Sequence, residues 1–163
     1  MWGGEDSIDF SIATDLFLLT SPEFGVSSPV QFVNDFEANL PSSGVNVIVL
    51  RDAPIPFNAG LAANSIAAQI TTPGPGFFLY FNSGLEMPRL VYSTDLSDNT
   101  ADLKVLFRLQ NLTGQPGRDA LPTFTDSNFA FTAVPEPSTG MLTAGAFALL
   151  AGCGAWRRRR VRG

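Results

Sequence analysis

From Gly140 to Trp156 the chain runs for 17 residues without a charge and then straight into Arg157-Arg158-Arg159-Arg160. Nothing else in the sequence constrains its folding as strongly. As a helix this run is about 25 Å long at 1.5 Å per residue, the short end of a membrane span. A core helix of a soluble domain seldom continues into four arginines. Trp156 stands where an interfacial aromatic belongs, and the arginines would hold the C-terminus on the cytoplasmic side by the positive-inside rule. Upstream, Pro135-Glu136-Pro137 cannot sit inside a helix or a central strand, because both prolines lack an N–H and force their predecessors into extended conformations. The result is an extended, accessible handle. Ser138 and Thr139 are N-cap residue types, suited to starting the next helix. Gly140, Ala144, Ala148 and Gly152 form a small-residue stripe that can pack membrane helices, although a short, weakly hydrophobic helix would look the same.

The chain of 163 residues therefore divides into a body, residues 1–133, and a tail, residues 134–163. The tail holds the proline segment (134–138), the span (140–156) and the arginine cluster (157–162). Charge follows the same division. The body has five Lys or Arg against fourteen Asp or Glu, a net −9, and the tail has five Arg against one Glu, a net +4. A body that acidic repels nucleic-acid phosphates, and the arginine block, preceded by an apolar run, is a poor nucleic-acid patch. There is no His, and the one cysteine, Cys153, lies in the tail. The body therefore cannot build a Ser-His-Asp or Cys-His site, a His/Cys zinc site or an internal disulfide.

Short runs bounded by turn residues fill the body. Ile8, Phe10 and Ile12 alternate in a strand pattern, as do Val30, Phe32 and, past Asn34, Phe36. Val45 to Arg51 is a β-branched run after the Ser42-Ser43-Gly44 turn. The two prolines of Arg51 to Gly60 require loop or edge. Leu61 to Ile70 can be read either way: its alanines favour helix, and Asn64-Ser65 with the following Thr71-Thr72-Pro73 favours strand. Phe77 to Phe81 is a continuous aromatic strand entered from the rigid Pro73-Gly74-Pro75-Gly76 turn. Asn82-Ser83-Gly84 supplies turn chemistry, and Leu90 to Ser93 returns after Pro88. Leu103 to Leu109 alternates as a strand, with a helix as the competing reading, and Phe124 to Val134 closes the body with a last strand. The expected architecture is all-β: an antiparallel β-sandwich or jelly-roll-like domain, followed by a single C-terminal transmembrane helix.

Candidate sites in the body are few. Asp95, Asp98 and Asp102, with Asn99 and Thr100, offer hard oxygen ligands of the kind calcium takes in loops of extracellular domains. Their spacing is not that of an EF-hand, so a solvated turn capped by Asx side chains is the favoured reading, and no other cofactor is expected. Glu86 or Glu37 paired with an Asp could serve a glycosidase, but any acidic domain contains such pairs. Arg89 and Tyr92 beside the aromatic hairpin could meet a polysaccharide, whereas core packing of Phe77, Phe78, Tyr80 and Phe81 explains those rings better. Asn111-Leu112-Thr113 fits a glycosylation sequon but reads as a turn.

The order Val134-Pro135-Glu136-Pro137-Ser138, span, arginine cluster at the extreme C-terminus resembles the PEP-CTERM sorting signal of Gram-negative and related bacteria. The resemblance implies recognition by exosortase, a membrane-embedded cysteine protease-transpeptidase that acts at the Pro-Glu-Pro region. Pro135, Glu136 and Pro137 would be its recognition element, and Arg157, Arg158, Arg159 and Arg160 the membrane stop. The stretch from Gly74 to Phe131 is also similar to a recurrent segment of uncharacterised PEP-CTERM proteins, which brings no activity with it. Members normally carry an N-terminal signal peptide. Residues 1–20 hold four acids and no base, so Met1 is expected to fall inside the mature protein, downstream of the true start.

These readings converge on a non-enzymatic exported protein of the cell surface or extracellular matrix. It would insert transiently in the inner membrane through its tail and then be cleaved by exosortase, with extracellular polysaccharide as a candidate partner and no nucleic acid. The alternative is a permanently anchored single-pass protein with a ligand- or carbohydrate-binding β ectodomain. A third class is a carbohydrate-active enzyme working through carboxylates alone.

Overall fold

A computed structural model of the chain describes residues 6–20, 24–26, 29–53 and 55–132. The expected transmembrane helix over 140–156 lies outside them. Among the described residues no helix is long and apolar enough to cross a membrane.

The body is mostly sheet. Its strands are β1 (Asp6–Ile8), β2 (Phe17–Thr20), β3 (Phe32–Asp35), β4 (Val47–Leu50), β5 (Gly76–Asn82), β6 (Met87–Ser93), β7 (Leu103–Leu109) and β8 (Phe129–Thr132). The helices α1 (Ala59–Ala67) and α2 (Gly114–Ala120) lie among them. Six strands form one sheet in the order β1-β7-β6-β5-β4-β3, and β2 pairs with β8 in a second, two-stranded sheet.

Here the structure corrects the expected antiparallel sandwich. The hairpin β5–β6 and its neighbour β7 are antiparallel, but β3, β4 and β5 run parallel, as do β1 with β7 and β2 with β8. The cause lies in the strands themselves. All four residues of β4 and all seven of β5 are buried, with no polar face to turn to water. Strands buried on both faces belong to a sheet covered on both sides, and successive parallel strands then need a crossover.

That requirement also settles Leu61 to Ile70, which becomes helix α1, the crossover from β4 to β5. Asn58 caps it, its side chain accepting the Leu61 N–H at 2.9 Å. Ala62, Ala63, Ile66 and, just beyond the helix, Ile70 form the buried stripe, and Asn64 faces out. On this side of the sheet they pack with Ile48, Leu50, Phe78, Tyr80 and Val91. The alternate residues Val47, Val49, Phe77, Leu79 and Phe81 point to the other side. There they meet Phe10, Phe17, Leu19, Phe124 and Phe129 from β2, β8 and the flanking loops. Phe10, Phe17 and Phe129 form a run of stacked rings, with centroids 4.1 Å apart for Phe10–Phe17 and 5.4 Å for Phe17–Phe129.

The aromatic hairpin takes its expected form. Asn82 Oδ1 accepts the N–H groups of Gly84 and Leu85 at 2.9 and 2.8 Å, which closes the turn. Pro88 lies inside β6 rather than before it, opposite Phe81, where the pairing with β7 has not yet begun, so its missing N–H costs the ladder nothing on that side. The alternating pattern of Leu103 to Leu109 is strand β7, and Phe129–Thr132 is the last described strand. By contrast β1 is only three residues, and the chain leaves it before Phe10 and Ile12, which still point into the core.

Asparagine amides fasten the irregular segments. Asn111 takes the Phe10 N–H on Oδ1 and gives Nδ2 to the Phe10 carbonyl, at 2.9 and 3.0 Å. Asn46 does the same between the Gln31 N–H and the Pro29 carbonyl. Asn128 donates to the carbonyls of Ile12 and Asp15. These amides satisfy backbone groups where no strand can reach.

Gly76 opens β5 where a Cβ would overlap the Leu96 side chain and lie 2.8 Å from the Asn46 carbonyl oxygen. Gly76→Ala is therefore expected to destabilise the body by about 1–3 kcal/mol through overpacking, read as a lower urea midpoint. An unchanged midpoint would show that the β5 entry is loosely packed.

Candidate functional site

The sorting residues Val134 to Ser138 and the membrane stop Arg157 to Arg160 lie outside the described residues. The sites expected within the body can be followed atom by atom.

The acidic loop is a set of turn caps. Asp95 Oδ1 accepts three hydrogen bonds, from the Gly74 N–H at 3.2 Å and from the Ser97 N–H and hydroxyl at 2.8 Å each. Asp98 Oδ1 accepts the Thr100 N–H at 2.8 Å and its hydroxyl at 2.7 Å. At Asp102 the backbone takes part, its N–H donating to the Thr94 hydroxyl at 3.1 Å. Among the described residues no three His, Cys, Asp or Glu side chains gather at a point that could hold a metal ion. The favoured turn-cap reading describes what the Oδ1 atoms of Asp95 and Asp98 do here, accepting from neighbouring backbone and hydroxyl groups. Partial burial raises the Asp95 carboxyl's pKa, but its bonds from Ser97 and Gly74 outweigh that and hold it below the usual carboxylate range.

The aromatic face is core. Phe77, Phe78, Leu79 and Tyr80 are 0% exposed and Phe81 2%, so no sugar stacks on them there. Tyr92 donates its hydroxyl to the Phe24 carbonyl at 2.7 Å and lies against the rings of Phe24 and Phe77. Burial pushes its phenol above the usual value. Arg89 reaches the Tyr80 hydroxyl at 3.4 Å. Asn111 of the sequon spends both ends of its amide on Phe10, as above. Glu86 sits in the turn before β6 at φ 51°, its carbonyl accepting the Gly114 N–H.

Glu37 leads elsewhere. Its backbone N–H donates to Asp52 Oδ1 at 2.6 Å, at the carboxyl ends of β3, β4 and β5. The parallel strands all finish at this end, and open α/β sheets place their ligand crevices at such ends. A cavity of about 220 Å³ lies there, walled by Phe36, Leu50, Ile55, Pro56, Phe81 and Leu121 with the polar groups of Arg51, Asp52 and Arg118. Arg51 Nη2 donates to Asp35 Oδ1 and to the Asn34 carbonyl, both at 3.0 Å, and its guanidinium lies 5.0 Å from the Phe36 ring centre. Asn39 and the Phe36 N–H, with Arg51, hold the Asp35 carboxyl below the usual range. Asp52 moves the opposite way: burial, with the Glu37 charge adding to it, raises its pKa despite the bond from Glu37. The Arg118 guanidinium lies over Phe81 at 5.0 Å. A second cavity of about 300 Å³, at the amino ends of the same strands, has no titratable side chain in its walls.

Arg51, Asp52 and Arg118 were not among the expected site residues. The signal was available: Arg51-Asp52 follows directly on a β-branched strand, and the body has only five basic residues. Arg118 is brought in from 67 positions away by α2, which no local pattern announces.

Comparison with known families bears on the tail. Residues 133–160 match the PEP-CTERM protein-sorting motif. The chain carries a PEP-CTERM sorting signal. The match spans the Pro-Glu-Pro handle, the uncharged run and the four arginines in the expected order, and it indicates a signal addressed to exosortase. It leaves the sheet body outside the PEP-CTERM match. No curated protein and no solved structure matches the chain.

Two outcomes are expected for the acidic loop. Added calcium leaves the thermal midpoint unchanged, whereas a rise would favour the metal reading. Asp95→Ala costs about 1 kcal/mol, the size of a lost cap. Because folding lowers the Asp95 pKa, its contribution is present at neutral pH and fades as the pH falls through and below the usual carboxylate range. The variant's deficit in urea midpoint should therefore shrink on acidification. A deficit that stays constant down to about pH 2, below both pKa values, contradicts the assignment.

Proposed function

We propose that this chain is an exported protein whose body acts as a structural or binding component at the cell surface or in the extracellular matrix. Its tail directs export, inserts transiently in the inner membrane and is cleaved by exosortase near the Pro-Glu-Pro segment. The observation that carries this reading is the PEP-CTERM match over residues 133–160. Each part of the tail contributes something physical. The extended prolines present a handle, the uncharged run stops in the bilayer, and the arginines lock the cytoplasmic end.

A non-enzymatic body fits a chain without His and without a cysteine outside the tail, which removes the common nucleophile–base pairs. The net charge of −9 on the body disfavours nucleic acid. Extracellular polysaccharide is the candidate partner class. A permanent anchor is the competing fate, since the same uncharged run that stops transiently could also stay.

Replacing Pro135, Glu136 and Pro137 together by Ala tests the reading in a host that has exosortase. The variant is expected to accumulate full-length in the inner-membrane fraction while the parent chain leaves it. Identical distribution of the two proteins would contradict a sorting role for the motif.

A further inference from the structure

The cavity at the carboxyl ends of β3, β4 and β5 contains polar groups that the fold leaves unmatched. Arg51 Nε, Asp52 Oδ2 and Arg118 Nε are buried without a hydrogen-bond partner. Asn34 Oδ1 is in the same condition, while its Nδ2 donates to the carbonyls of Leu121 and Phe124 at 2.9 Å each. Buried polar atoms are nearly always matched, and such exceptions call for a specific explanation. Three of them, on Arg51, Asp52 and Arg118, belong to the walls of one cavity, at the end of a parallel sheet where ligands characteristically bind.

Their chemistry narrows the ligand. Two donors and one carboxylate acceptor on the walls of one cavity call for a group that both accepts and donates, as neighbouring hydroxyls do. The remaining walls, Phe36, Ile55, Pro56, Phe81 and Leu121, offer apolar surface to the C–H face of a ring. Arg51 is already paired with Asp35, which leaves the Arg118 guanidinium, set over Phe81, to meet a negative charge on the ligand. A volume of about 220 Å³ falls below the ~300–1,000 Å³ of drug-sized sites and suits one ring, not a nucleotide or a peptide. We infer that this cavity binds a single polyhydroxy ring bearing a carboxylate, a uronic-acid type of sugar unit, through Arg51, Asp52 and Arg118. The buried nitrogens and oxygen are reached by the side-chain rotation that commonly accompanies binding. The inference rests on the body being a binding component and is independent of how the tail is processed.

The full chain in mild detergent is titrated calorimetrically with glucuronate, glucose and cyclohexanecarboxylate. Glucuronate should bind, glucose at least tenfold more weakly, and cyclohexanecarboxylate, which has the charge but no hydroxyls, not measurably. Arg118→Gln should weaken glucuronate at least tenfold, about 1.4 kcal/mol. Ala53→Trp, an exposed wall position outside both core clusters, should block binding at an unchanged urea midpoint. The inference is overturned if none of the three ligands binds, if cyclohexanecarboxylate binds as well as glucuronate, or if both folded variants bind like the parent. Any of these leaves the C-terminal mass of the exported protein unaffected, so a failure here is distinct from a failure of the sorting assignment.

Discussion

Strands β4 and β5 have no side that faces water, and the rest of the body follows from that. Val47 and Val49 go to one side of the sheet, Ile48 and Leu50 to the other, and β5 divides its aromatics the same way. Each side needs a cover. Helix α1 supplies one with a stripe of small and branched residues. The other comes from the β2–β8 pair and a shell of phenylalanines stacked through Phe10, Phe17 and Phe129. Burying a Phe or Ile side chain yields about 1.5–3 kcal/mol, so the two covers supply the main drive for ordering the loops that carry them. Asparagine amides then hold those loops where no ladder is available.

Much of this was legible in the sequence, and the part that was not has definite causes. The hairpin of Phe77 to Ser93, the run Leu103 to Leu109 and the closing strand all announce themselves through alternation and turn residues. Direction does not. Phe77 to Phe81 and Val47 to Leu50 read as continuous apolar runs, which is how doubly buried parallel strands look, yet the many Gly and Pro turns argued for an antiparallel arrangement. Leu61 to Ile70 is helical because β4 and β5 must be joined by a crossover, a demand set by pairing and not by its own residues. The pairings β1–β7 and β2–β8 join segments roughly 100 residues apart, and the alternation on which strand patterns rest carries no information about so distant a partner.

The acidic loop teaches the complementary lesson. Asp95 and Asp98 have the residue types of a cation site, but their oxygens are aimed at backbone N–H groups two residues on and at Gly74 across the loop. Arg51 and Asp52 follow directly on β4, whereas Arg118 joins them only through α2. The tail is the reverse case. Its signal resides in order and composition, a Pro-Glu-Pro segment, an uncharged run and an arginine cluster, so the sequence carries it without help from the body.

The most direct test of the account is the intact mass of the protein recovered outside the inner membrane of an exosortase-bearing host. The expected species has lost its C-terminus from the Pro-Glu-Pro region onward, including Arg157 to Gly163. Recovery of the exported protein with Gly163 still at its end would contradict it.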